Sequence, residues 1–229
     1  MENVAHLHHA LLANDIKGLI FDLDGTLIDS AKDILQALRL SFAQAGIGDL
    51  PDDYIPSDLH GTGEGIMKSV IEDMGWTGPS DFKAFRKVFI DNYTHLQPRQ
   101  THLYPAVIDF LTAAKRSGLM MGVCTNNTQA SAKITTQRFG IDSFFSFTTG
   151  ADTWSVAKPS PVPLIETIRM LDLQPEECVY FGDTSVDAEA ALGAGVRFAL
   201  HTTGYGDKAL KGKPTFLAFK HWQDLLTKT

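Results

Sequence analysis

The chain has 229 residues, 44% of them hydrophobic and 21% charged, and carries a formal net charge of −7 at pH 7. That length holds one large or two smaller domains with a proper core, and the composition excludes a disordered or fibrous chain. The acidic balance argues against a nucleic-acid partner, and no apolar run reaches the roughly 18 residues a membrane span needs.

No signal-peptide pattern opens the chain, so a cytoplasmic protein with no membrane partner is expected, as a monomer or homodimer. Cys124 and Cys178 fall inside apolar, strand-like runs. They read as buried small hydrophobes in a reducing compartment. His6, His8 and His9 lie in an N-terminal helix or arm with no matching ligand set, and solvated imidazoles are expected there.

Gly18 to Ser30 reads G-L-I-F-D-L-D-G-T-L-I-D-S. An apolar, β-favouring run meets two carboxylates, Asp22 and Asp24, followed by Gly25 and Thr26. Alternate strand residues point to opposite faces, so a loop must bring Asp24 round, and Gly25 supplies the backbone freedom. Paired acids at a strand end suit a hard divalent cation, and one of them can attack phosphorus once its charge is screened. The same residues also fit a plain type I′ hairpin turn between Leu19–Phe21 and Leu27–Ile28.

Ser30 stands three residues before Asp33, a variant of the capping box, and Ile34, Leu35, Leu38 and Phe42 mark an amphipathic helix ending near Gly46. Only helical periodicity follows to about Arg99, with segments at 66–74 and 82–96. From Tyr104 the pattern alternates. Helices are expected at 107–116, 129–139, 162–171 and 185–192, and strands at 119–124, 144–148, 178–181 and 196–200. Such alternation with buried apolar strands predicts an α/β fold, a doubly wound parallel sheet with a Rossmann-like core. Residues 1–30 and 102–229 would form that core, with 31–101 inserted as an α-helical cap domain.

In open α/β sheets ligands bind beyond the carboxyl ends of the strands. Each expected strand is followed by polar groups suited to phosphate. The first ends in Asp22 and Asp24. The second runs into Thr125-Asn126-Asn127, where a hydroxyl and helix-start N–H groups can hold phosphate oxygens. Lys158 follows the third, within Ala157-Lys158-Pro159-Ser160-Pro161. Gly182-Asp183-Thr184-Ser185 follows the fourth, with Asp187 four residues beyond Asp183. Taken singly each has a plainer reading: helix caps for Thr125, Asn126 and Asp183, a solvated loop charge for Lys158, an exposed helical acid for Asp187. Capping does not explain four such coincidences in consistent order.

Asp22-Leu23-Asp24-Gly25-Thr26, Thr125-Asn126, Lys158-Pro159 and Gly182-Asp183 with Asp187 resemble the four motifs of the haloacid dehalogenase superfamily of phosphotransferases, in order and over nearly the whole chain. The helical insertion resembles the cap of its subfamily I, and Leu59 to Gly65 and Val179 to Thr184 are most similar to phosphoglycolate phosphatases. The resemblance implies that Asp22 is the nucleophile that becomes an aspartyl-phosphate. Asp24 would protonate the leaving alcohol and later activate water. It also implies Mg²⁺ held by the Asp22 side chain, the Asp24 backbone carbonyl and Asp183. Thr125, the N–H of Asn126 and Lys158 would stabilise the transferring group, and Asp187 would support Lys158 or a metal-bound water. The acid at Asp24 favours phosphate esters over halides and phosphonates as substrates.

Glycines alternate from His60 to Gly65, but no strand precedes them, which rejects a dinucleotide site. As a helix start, His60, Gly61, Thr62 and Gly63 would leave N–H groups for a second anionic group such as a carboxylate, with Lys68 a further candidate. A plain turn is the equal alternative. The expected function is a Mg²⁺-dependent phosphatase of a small phosphorylated metabolite, 2-phosphoglycolate first. A sugar-phosphate mutase, a pyrophosphatase, and a phospho-accepting signalling domain are the alternatives; receiver domains lack both the insertion and the acid two residues after the phosphorylated aspartate.

Overall fold

A computed structural model describes residues 5–12, 15–54, 56, 62–96 and 99–228. The chain divides into two compact units, Met1–Asp29 with His102–Thr229, and Ser30–Thr101.

The first unit is built on a six-stranded sheet. Its strands are β1 (Gly18–Phe21), β2 (Met120–Cys124), β3 (Phe147–Thr149), β4 (Cys178–Gly182), β5 (Arg197–His201) and β6 (Leu217–Phe219). They lie in the spatial order 3-2-1-4-5-6, every neighbouring pair parallel. This is the doubly wound order, and its direction reverses between β1 and β4. The helices are α1 (Ala31–Gln44), α2 (Gly63–Met74), α3 (Phe82–His95), α4 (Val107–Arg116), α5 (Gln129–Arg138), α6 (Val162–Met170) and α7 (Ser185–Ala194), with a four-residue turn of helix at His9–Leu12.

Because β1 is central and covered on both faces, it reads as a continuous apolar run rather than an alternating one. Leu19 and Phe21 pack with Phe110, Val123 and Trp222 on one face. Ile20 points the other way, to Leu164, Ile168 and Tyr180. The neighbours of β1 are β2 and β4, so Leu27 and Ile28 do not return beside it, and the hairpin alternative falls. Instead the chain turns tightly: Gly25 N donates to Ile28 O and Leu27 N to Leu23 O, at 2.8 and 2.9 Å, with Gly25 at φ +82°.

Several elements differ from the sequence expectation. A strand at 144–148 is replaced by a 3₁₀ turn at Asp142–Phe144 and β3 at Phe147–Thr149, because Phe144 and Phe145 pack sideways onto the core instead of alternating. The sheet continues past residue 200 into β6, which pairs on one side only over three residues and so leaves no periodicity to read. Two further short pairings, Ala5–Leu7 with Leu226–Lys228 and Ile28–Asp29 with His102–Leu103, were likewise not anticipated.

The helical unit, Ser30–Thr101, packs α1, α2 and α3 around Phe42, Met67, Val70, Phe85 and Phe89. The capping box expected at its start does not form. Ser30 makes no side-chain cap hydrogen bond. Asp33 turns instead to the returning chain and accepts from Gln100 N at 2.8 Å, Thr101 N at 3.1 Å and the Thr101 hydroxyl at 2.5 Å. A carboxylate there satisfies two backbone N–H groups and a hydroxyl at once, where a cap would satisfy one. Among the described residues no helix is long and apolar enough to cross a membrane.

Candidate active site

Asp22 follows β1 directly, its N–H donating to Phe181 O at 2.8 Å. It therefore stands at the carboxyl end of the central strand, where the strand order reverses. Its Oδ1 accepts from Lys158 Nζ at 2.8 Å, and both side chains are almost wholly shielded from solvent. Lys158 Nζ also donates to Asp187 Oδ1 and Tyr180 Oη, each at 2.7 Å. The main chain of Lys158 is held as firmly. Asn126 Oδ1 accepts from Lys158 N and Asn126 Nδ2 donates to Lys158 O, both at 3.0 Å, so the end of β2 is locked to the lysine loop. Thr125, buried beside it, accepts from Asn127 N at 3.2 Å, and Asn127 Nδ2 reaches Asp24 Oδ2 at 3.4 Å.

Asp183 follows β4 on the other side of the reversal. The Thr26 hydroxyl donates to its Oδ1 at 3.1 Å and Tyr205 N to its Oδ2 at 2.7 Å. A Cβ on either Gly25 or Gly204 would overlap this carboxylate, so both positions exclude every larger residue by close approach. The helix that follows is capped by Thr184 and Asp187, not by Asp183. Asp187 Oδ2 accepts from Asp183 N, Thr184 N and the Thr184 hydroxyl, at 3.2, 3.1 and 2.8 Å. Its Oδ1 takes Lys158 and lies 2.9 Å from the Tyr180 hydroxyl. Both oxygens of Asp187 are thus fully occupied by protein donors.

Asp22, Asp183 and Asp187 each offer an oxygen within 4.8 Å of the others. Their electrostatics separate them. Burial pushes the Asp22 carboxyl up to about 7, with the Lys158 charge opposing and Asp187 adding to the rise. Burial raises Asp183 well above the carboxylate range, helped by Asp187 and Asp22. Asp187 goes the other way: burial would raise it, but the Lys158 charge and the hydrogen bonds from Lys158, Thr184 and Tyr180 hold it below its usual value. Lys158 already neutralises Asp187, while Asp22 and Asp183 lack enough positive charge for both to ionise. That is the condition a dipositive ion with oxygen ligands relieves. The cluster fits a divalent metal, with Asp22 and Asp183 as the carboxylates suited to bind it.

Several residues of this site were not singled out from sequence. Tyr180 touches Lys158 from a strand whose other residues are apolar. His201 Nδ1 lies 2.9 Å from Gly25 O and Trp222 Nε1 donates to Thr26 O at 3.1 Å, holding the Asp22–Thr26 turn from behind. A polar residue inside a buried strand was the available signal for Tyr180; for Trp222 there was none.

The anion site expected at the start of α2 is described in part. His60 and Gly61 lie outside the described residues. Thr62 is the N-cap, its hydroxyl accepting from Gly65 N at 3.2 Å, so that N–H is not left open for a ligand. Gly63 begins the helix against Phe89, and Lys68 pairs with Glu64 at 2.7 Å on an exposed face.

The family model of the haloacid dehalogenase-like hydrolases matches residues 19–201. A phosphoglycolate phosphatase of Aquifex aeolicus is 32% identical over 188 residues, covering 82% of this chain and 85% of its own. One from Chromobacterium violaceum is 32% identical over 203 residues, covering 86% and 90%. Among solved structures, a predicted phosphoglycolate phosphatase of Haemophilus somnus superposes with a TM-score of 0.83 at 25% identity, covering 93% of this chain and 97% of that one.

Proposed function

The chain belongs to the haloacid dehalogenase-like hydrolases and is a phosphoric monoester hydrolase, and from that premise we propose a Mg²⁺-dependent phosphatase of a small phosphorylated metabolite, with 2-phosphoglycolate the first substrate to test. The observation that carries the reading is the meeting, at one sheet reversal, of Asp22, its 2.8 Å partner Lys158 and Asp183. The α/β unit performs the chemistry in this reading, and the helical unit is the cap.

Asp22 attacks phosphorus, the ester P–O bond breaks, and Asp24 gives its proton to the departing alkoxide. Asp24, now a carboxylate, takes a proton from water as that water attacks the aspartyl-phosphate; inorganic phosphate leaves and Asp22 is restored. The Asp22 and Asp183 side chains with the Asp24 backbone carbonyl would hold Mg²⁺, whose charge neutralises the acids and the phosphoryl oxygens. Thr125, the N–H of Asn126 and Lys158 supply donors to those oxygens, which is where most of the catalysis of phosphoryl transfer resides. Asp187, with both oxygens occupied, holds Lys158.

The test is steady-state phosphate release from 2-phosphoglycolate, p-nitrophenyl phosphate, sugar phosphates and pyrophosphate, with Mg²⁺ and with EDTA. Mg²⁺-dependent turnover led by 2-phosphoglycolate, and lost in Asp22→Asn, supports the reading. A preference for pyrophosphate or a sugar phosphate refutes the substrate, and a stable phosphoprotein without turnover refutes the phosphatase.

A further inference from the structure

Tyr180 is fully buried in the middle of β4, and the reaction just outlined gives it no part. Its hydroxyl nonetheless takes one of the three N–H donors of the Lys158 ammonium, at 2.7 Å, while Asp187 Oδ1 and Asp22 Oδ1 take the other two at 2.7 and 2.8 Å. The hydroxyl also lies 2.9 Å from that same Asp187 Oδ1 and 2.9 Å from the carbonyl of Cys124, the residue before Thr125. Burial and the Asp187 charge keep the phenol protonated, so it adds no further anion to the cluster.

The three acceptors of Lys158 do not behave alike during turnover. Asp22 loses its charge when it becomes an acyl phosphate, and its hold on the ammonium weakens. Asp187 and Tyr180 are unchanged throughout. Two fixed acceptors hold the ammonium and its side chain against reorientation more firmly than Asp187 alone.

We infer that Tyr180 is a positioning residue for phosphoryl transfer: its hydroxyl and Asp187 together keep the third N–H of Lys158 aimed at Asp22 and the group it receives. The inference rests on the phosphatase reading, in which Lys158 stabilises that group. Through the Cys124 carbonyl the same hydroxyl ties the lysine to the strand that presents Thr125.

The experiment compares Tyr180→Phe, Lys158→Met, the double variant and Phe198→Leu. Phe198 packs on the Tyr180 ring, 6.5 Å between centroids, and Phe198→Leu loosens the same core without touching the hydroxyl. Rates are measured on p-nitrophenyl phosphate with saturating Mg²⁺, well below the melting temperature, and referred to the folded fraction read by near-UV circular dichroism. Tyr180→Phe lowers kcat about tenfold with KM within about twofold, since a hydrogen bond made to a charged group is lost where the transition state is stabilised. In the Lys158→Met background the same change moves kcat less than about twofold. Phe198→Leu lowers the melting temperature and leaves kcat unchanged. If Tyr180→Phe also lowers only the melting temperature, the hydroxyl is structural and the inference fails. If it lowers kcat equally with and without Lys158, it acts elsewhere and the inference fails. Unchanged kcat in Lys158→Met itself would overturn the role of Lys158, and the inference with it, which separates that failure from the other two.

Discussion

Replacing Asp22 by Asn should make the metal-free protein more stable, by an amount that depends on pH. The folded carboxyl titrates at about 7 because it is buried, against 3.8 in the open chain. Between those values the folded state holds a proton that the unfolded state has released, so stability falls as pH rises through the window and is flat above it. At about 1.4 kcal/mol per pH unit, the whole interval is worth up to ~4 kcal/mol, and the part between pH 5 and pH 7 about 2 kcal/mol. Burial raises Asp183 in the same direction, and that residue is present in both proteins. Asn keeps the shape and an oxygen for Lys158 but has no charge to bury. Urea unfolding in EDTA at pH 5, 6, 7 and 8, followed by the fluorescence of buried Trp222, gives the difference between the two proteins. It should widen by about 2 kcal/mol from pH 5 to pH 7 and then hold constant. Saturating Mg²⁺ at pH 8 should narrow it, stabilising wild type by about 2.7 kcal/mol at a hundred times its dissociation constant and Asp22→Asn by less. A difference that does not change with pH would refute the claim that Asp22 is strained by burial and short of positive charge.

Gly25→Ala sets a methyl group against the Asp183 carboxylate at a backbone angle of φ +82°; turnover should fall at least about a hundredfold, with the Mg²⁺ concentration needed for half-maximal rate rising in parallel. Asn126→Ala removes both hydrogen bonds to the Lys158 main chain. It should cost roughly 1 to 3 kcal/mol of transition-state stabilisation, read as kcat/KM on a single ester. Asp33→Asn leaves a buried N–H facing an amide donor in place of a carboxylate and should lower stability by about 1 to 3 kcal/mol at pH 7. Burial raises Asp33 but the Thr101 and Gln100 bonds outweigh it and hold its pKa low. Its contribution is therefore present above the unfolded value of 3.8 and lost as pH falls below it, so melts at pH 7 and pH 3 should show the gap between wild type and variant closing.

What the sequence discloses follows the range of the forces involved. The apolar run Leu19–Phe21 announces a buried strand because both faces of β1 are covered, and burial is written in residue type. The acids and the lysine at the strand ends are visible for a related reason. Polar groups placed where a strand stops have no packing to explain them. Asp33 shows where this fails: a serine three residues earlier suggests a cap, but the stronger partners, Gln100 N and Thr101 N, lie 67 and 68 residues away. At Thr62 the sequence leaves open which N–H groups are free, and a single side-chain rotamer removes that of Gly65 from them. Tyr180 is hidden for the opposite reason. Its ring belongs to the core, as its place in the strand implies, and nothing local reveals that its hydroxyl reaches a lysine 22 residues earlier.

The charges at the sheet reversal also bear on the order of events in the proposed reaction. Asp22, Asp183 and Asp187 stand against Lys158, a formal charge of −2 once the carboxyls are ionised. A phosphate monoester is itself a dianion, and the chain around it carries −7. The lysine does not offset that repulsion, since its charge is already matched by Asp187 at 2.7 Å. A dipositive ion held by Asp22 and Asp183 would bring the cluster to neutrality and leave the entering phosphate facing N–H donors instead of bare carboxylates. Substrate affinity should therefore depend steeply on the cation, and raising substrate should not rescue a rate measured in EDTA. Such a rescue would mean that the acids are neutralised by protons alone and that the cation is dispensable for binding.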